Sequence, residues 1–247
     1  MTSAPFVGSR ARRAADAARH WVGRPWRARA TTTYLCILSA TSLVLVTTTA
    51  RRQQALLRAA STNLNQLGRN PLPVLVSSAF WLPSDGLASK LGVVAFAVLV
   101  MAPLELWLGT GRWLVAFVAG HIGATLITAA GLSVAVHSDW VSRRVTRTID
   151  VGYSYGTLCL AALLVYRLPR RWRVPAAAAL LVWALAELRS GDYSSWGHLL
   201  AILIGFALWP LARRRAASGA VSQVDDQAPA VAQRPISSRR SADSADP

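Results

Sequence analysis

Six apolar stretches separated by short polar segments dominate the hydropathy pattern, at residues 33–49, 87–108, 113–136, 149–168, 174–188 and 196–212. A bilayer core is crossed by about 20 mainly apolar helical residues, with a range of roughly 17 to 25. The pattern therefore predicts an all-α membrane protein of six spans, the fifth being the shortest. The first stretch follows an Arg-rich segment as a signal peptide does, but five more stretches come after it, and it is read as a retained helix.

Three segments do not follow the spanning pattern. Residues 1–30 are basic and Ala-rich, and residues 216–247 are rich in Ser, Ala, Gln, Asp and Pro without an apolar period, so the segments 1–30 and 213–247 are expected to be disordered and cytoplasmic, flanking a membrane domain at 31–212. The first outer loop, residues 51–85, carries Leu56, Ala60, Leu64 and Leu67 on one helical stripe, which predicts a helix lying in the interface plane. Asn70-Pro71-Leu72-Pro73 ends that helix, and the apolar run 74–81 is expected to dip into the outer leaflet.

Composition agrees with this drawing: 53% of the 247 residues are hydrophobic and only 15% are charged. A net charge of +16 would point to nucleic acid in a soluble chain, but here the arginines gather in alternate loops, so the excess reads as a topology signal and no nucleic-acid partner is expected. With the N-terminus inside, the inner loops hold about twice the arginines of the outer ones, and both termini are cytoplasmic. Trp107, Trp113, Trp172 and Trp209 then fall at inner helix ends, and Trp81, Trp140 and Trp196 at outer ones, as interfacial belts do. The near-absence of lysine, with Lys90 alone, suggests a GC-rich bacterial genome and hence a bacterial plasma membrane. Cys36 and Cys159 lie in apolar stretches, and no spacing suits a metal.

Under this topology the fourth and sixth spans both enter from outside. Ser154 and His198 then sit at matched depth near the outer face. Ser154, Thr157 and Ala161 follow i, i+3, i+7 spacing, and His198, Ala201 and Gly205 repeat it, so two small-residue stripes can bring the helices close. In contact, they would place an imidazole at hydrogen-bond distance from a hydroxyl, the arrangement that activates a serine. Each residue taken singly also has an ordinary structural role: a serine bonding its own helix and a solvated histidine. Asp150 suits a helix N-cap, with orientation of a catalytic group as the alternative.

Gly152-Tyr153-Ser154 is similar to the start of a GxSG motif, His198-Leu199-Leu200-Ala201 with Gly205 to a terminal His helix, and Glu105-Leu106-Trp107-Leu108-Gly109 with Gly111-Arg112 to a helix-joining turn. In these motifs the chain resembles the rhomboid family of intramembrane serine proteases, especially the divergent rhomboid-like membrane proteins of actinobacteria. The resemblance implies a six-helix fold, a Ser154 nucleophile, a His198 general base, no metal or organic cofactor, and cleavage of transmembrane protein substrates near their outer ends. Two departures stand out. Tyr155 replaces the glycine after the serine, with Gly156 one place later, and the second-helix HxxxN that serves the oxyanion is replaced by Ser89 and Val93. His121, Tyr153 and Tyr155 are the candidate substitute donors, and a rhomboid-like protein that binds membrane clients without cleaving them is the alternative function.

Overall fold

The computed structural model describes residues 27–82 and 86–213, and within them every regular element is a helix. Both expected tails, apart from their inner edges, lie outside the described residues. Helix α1 spans Arg29–Thr47, α2 Ala50–Ala60, α3 Leu64–Arg69 and α4 Pro71–Ser77, the last continuing as a 3-10 turn at Ser78–Phe80. Next comes one rod built of α5 (Leu87–Phe96), a π turn (Ala97–Met101) and α6 (Ala102–Leu108). Helices α7 (Thr110–His137), α8 (Ser154–Leu164), α9 (Arg170–Glu187) and α10 (Tyr193–Ala207) complete the chain.

All six apolar stretches are helical, but they are not six equivalent spans. Residues Arg29–Thr47, Lys90–Leu108 and Thr110–His137 are each long and apolar enough to cross a membrane. Helix α8 has 11 residues, of which Tyr155 to Leu163 are all buried. At 1.5 Å per residue it rises only about 16 Å. A helix enclosed by other helices does not meet lipid, so its length is not set by bilayer thickness. Leu43, Leu99, Val115 and Val182, by contrast, are exposed apolar residues on the outer helices, where lipid is the matching solvent.

Small residues set how closely α7, α8 and α10 approach. A methyl added at Gly120 would collide with the Cys159 side chain, and one at Gly205 would overlap the Cys159 carbonyl oxygen and lie 2.7 Å from Ala162 Cβ. Ala201 is fully buried in the same seam. Cys159 Sγ, held between α7 and α10, donates to Ala116 O at 3.2 Å. Packing replaces the hydrophobic drive that lipid removes.

At the opposite end of the bundle, Glu105 ties three elements together. The Ala30 and Thr31 N–H groups and the Thr31 hydroxyl, all at the start of α1, donate to its carboxylate at 2.7–2.8 Å, and Thr110 Oγ1 donates at 2.8 Å. A carboxylate at a helix N-terminus satisfies orphan donors and complements the helix dipole. Glu105→Gln is expected to lower the stability of the purified protein by about 1–2 kcal/mol, because an amide has one acceptor oxygen and presents an NH2 to donors. Thermal unfolding in detergent checks this, and an unchanged midpoint would remove Glu105 as a cap. Gly109, at φ 85°, makes the turn between α6 and α7 that lets Thr110 face that carboxylate.

Two sequence expectations change here. Trp113 is not an interfacial anchor: it is 1% exposed, and its indole N–H donates to Met101 O beside the π turn. Trp140, Trp172 and Trp196 are exposed, as belt residues are. In the first loop, Leu56, Ala60, Leu64 and Leu67 do not share one helix, because the chain breaks at Ser61-Thr62-Asn63 between α2 and α3. Asn63 Oδ1 caps α3 by accepting from Gln66 N–H, and Thr62 N–H turns away to donate to Asp150 O at 2.9 Å. Burial of Ser61, Thr62 and Asn63 holds the break inside the protein rather than at its surface.

Candidate active site

The segment before α8 is braced by the first loop. Asp150 N–H donates to Ser61 Oγ at 2.8 Å, Thr62 Oγ1 donates to Asp150 Oδ2 at 3.1 Å, and Gly152 N–H donates to Ser78 O at 2.8 Å. Gly152 has φ 141°, a backbone state an L side chain rarely adopts, so glycine is what permits the turn into the helix. Asp150 is therefore not the N-cap of α8. Tyr153 occupies that position without a side-chain cap bond, and the Asp150 carboxylate instead accepts from Thr62 and, at 3.3–3.4 Å, from Tyr155 OH.

Ser154 is the first residue of α8. Its Oγ lies 3.0 Å from His198 Nε2 on α10, so the two residues expected to pair from sequence stand at hydrogen-bond distance. The other imidazole nitrogen, Nδ1, lies 2.6 Å from Glu187 Oε2 at the end of α9. A carboxylate only accepts, so Nδ1 carries the proton and Nε2 presents its lone pair to the serine hydroxyl. Tyr155 packs edge-on against the imidazole with centroids 5.5 Å apart, and Trp183 covers it from α9 at 5.7 Å. The His198 side chain is 18% exposed and that of Glu187 34%, so the group is open from one side.

A rhomboid-like family model matches residues 26–218, most of the chain and every described helix. The chain belongs to the rhomboid-like protein family. No curated protein and no solved structure matches it.

This rhomboid-like membrane protein accommodates Tyr155, where rhomboids carry glycine, by moving a glycine elsewhere. A methyl at Gly197, next to His198, would collide with the Tyr155 ring, and a methyl at Gly156 would come within 2.5 Å of the Phe117 ring. Bulk added on α8 is thus matched by bulk absent from α10. Of the two stripes, Ala201 and Gly205 lie in the α8–α10 seam, while Thr157 Oγ1 bonds its own helix at Tyr153 O and Ser154 O.

His121 does not stand at the serine. Its Nε2 lies 3.0 Å from Leu75 O and 3.1 Å from Ser78 Oγ, bracing the first loop against α7. Because a carbonyl only accepts, the proton sits on Nε2, and Nδ1, which has no partner, is left without a proton to give. Nε2 is thus engaged by the first loop rather than by Ser154. Tyr155 donates to Asp150, and Tyr153 packs at the edge of the core. Val93 is buried in that core as well.

Glu187 is the contact that sequence reading did not place. Read as a carboxylate near a helix end, it gives no spacing signal toward His198, because only the α9–α10 turn at Gly191, with φ 77°, folds it back onto the histidine. Among the described residues no cluster of His, Cys, Asp or Glu suits a metal.

Proposed function

We propose that this rhomboid-like protein is an intramembrane serine endopeptidase, cleaving transmembrane protein substrates near the outer face of a bacterial plasma membrane. The observation that carries the reading is the 3.0 Å contact between Ser154 Oγ and His198 Nε2, half-buried at one end of the bundle. In the reaction Oγ forms a bond to the scissile carbonyl carbon while its proton passes to Nε2. The tetrahedral intermediate collapses as the C–N bond breaks and Nε2 returns the proton to the leaving amine. Water then hydrolyses the acyl-enzyme by the same proton path. The mechanism uses neither a metal nor an organic cofactor.

Oxyanion stabilisation falls to backbone. The first N–H that α8 engages in its own ladder is that of Thr157, bonded to Tyr153 O, so the N–H groups of Ser154, Tyr155 and Gly156 are free of it. They lie at the positive end of the helix, beside the nucleophile. The arginine distribution favours a topology with both termini in the cytoplasm, and in that topology Ser154 stands at the outer side.

A client-binding protein without proteolysis is the second reading. It is favoured by the departure of the sequence from HxxxN, by the engagement of His121 with Leu75 and Ser78, and by the burial of Val93. Labelling of the detergent-purified full chain with a fluorophosphonate separates the two. The protease reading expects one phosphonyl adduct per chain, mapped to Ser154 by peptide mass. Absence of an adduct, under conditions that label an active rhomboid, rejects it and leaves the client-binding protein.

A further inference from the structure

The relay at the site continues one residue beyond the serine and histidine. Glu187 Oε2 is 2.6 Å from His198 Nδ1, a distance typical of a strong charge-assisted hydrogen bond. Three supports surround the imidazole: Tyr155 edge-on, Trp183 as a tilted ring, and Glu187 within hydrogen-bond distance of Nδ1. The two aromatic rings restrict where the imidazole lies. Neither decides which of its nitrogens carries the proton.

We propose that Glu187 is a positioning residue for catalysis, converting the Ser154/His198 pair into a three-membered relay. The proposal rests on the reading of Ser154 as nucleophile. By accepting from Nδ1–H, the carboxylate selects the tautomer whose Nε2 can take the serine proton. As Ser154 Oγ bonds to the carbonyl carbon and its proton moves to Nε2, the imidazole gains a positive charge facing the Glu187 side chain. Without it, the alternative tautomer puts a proton on Nε2 and blocks the transfer.

The placement also gives α9 a function beyond packing. Helix α9 carries both Trp183 and Glu187, one turn apart, on the side that meets α10. A movement of α9 away from α10 would withdraw both from His198 together. The helix that forms one wall of the site thus also sets the protonation state of its base.

The test uses the detergent-purified full chain and a fluorophosphonate, comparing the rate constant of inactivation with the apparent affinity for the probe. In Glu187→Gln and Glu187→Ala the rate constant is expected to fall about 100-fold, less than for a fully enclosed triad carboxylate because Glu187 is one-third exposed. Affinity should stay within about twofold, and Glu187→Asp should recover part of the rate. A second measurement needs no substitution at Glu187: 15N NMR of histidine-labelled protein, with His198→Ala to assign the signal. It should report protonated Nδ1 and bare Nε2 on neutral His198.

Unchanged inactivation rates in Glu187→Gln and Glu187→Ala overturn the relay, as does a neutral His198 protonated on Nε2, while adduct formation at Ser154 would survive either result. Loss of probe affinity at constant rate would assign Glu187 to packing alone and also overturn it. If the wild type forms no adduct, the nucleophile reading and the relay fall together.

Discussion

Ser154→Ala is expected to abolish fluorophosphonate labelling, and His198→Ala to slow it by about 10²- to 10⁴-fold, the range a positioned general base contributes. The two losses differ in kind. Without Oγ no atom at residue 154 can bond to phosphorus, so the adduct disappears at any probe concentration. Without the imidazole the hydroxyl remains, but its proton has no acceptor within reach, and a serine hydroxyl is a weak nucleophile on its own. Neither change should unfold the protein. Ser154 sits at a helix start, and His198 is partly exposed, so each truncation removes contacts at an accessible edge rather than in the core. Time courses of labelling, with thermal melting as the control for folding, check both. Equal labelling by wild type and Ser154→Ala would place the reactive group elsewhere.

Gly205→Leu is expected to disrupt the protein more than any change at the site. The first carbon of the new side chain already overlaps the Cys159 carbonyl oxygen, a backbone atom that no rotamer change can move aside. Helices α8 and α10 must separate, and that seam contains Ala201 and Ile202, both fully buried. Overpacking a well-filled core costs typically 1–3 kcal/mol, and a clash against backbone belongs at or above the top of that range, about 3 kcal/mol or more. Because the same two helices carry Ser154 and His198, labelling should fall with stability. Gly131→Ala is the matched control: nothing lies within 4 Å of the added methyl, so the melting midpoint should hold or rise slightly, as replacing a helical glycine does. Equal melting of the Gly205→Leu protein and the wild type would show that the seam is looser than this packing requires.

Much of the architecture was legible because a membrane constrains sequence so strongly. Six apolar stretches, arginine asymmetry and two stripes of small residues point to a helical membrane bundle and bring Ser154 and His198 into one hypothesis, while the resemblance to rhomboids rests on the short motifs around Gly152, His198 and Glu105. The errors have a common cause. Taken by local segment alone, Trp113 reads as interfacial, Asp150 as a helix cap, His121 as either a hydrogen bond within the bundle or an oxyanion donor, and Leu56 through Leu67 as one helix. Each assignment used the residue's own segment, whereas each residue is held by a partner far along the chain: Met101 for Trp113, Thr62 for Asp150, and Leu75 with Ser78 for His121. The compensation of Tyr155 by Gly197 has the same character, since two individually odd residues make sense only face to face.

Hydropathy, charge asymmetry and short motifs are properties of local chain, so the helical membrane fold, the family resemblance and the candidate Ser154/His198 pair can be read along it. The state of those groups is set by contacts in three dimensions. Whether Nε2 of His198 offers a lone pair depends on a carboxylate eleven residues away across a turn, and whether His121 can donate depends on a loop carbonyl 46 residues before it. Hydrogen bonding acts over about 3 Å and is blind to sequence separation. The direction of a proton at this site is therefore fixed by helix packing, and no periodicity along the chain encodes it.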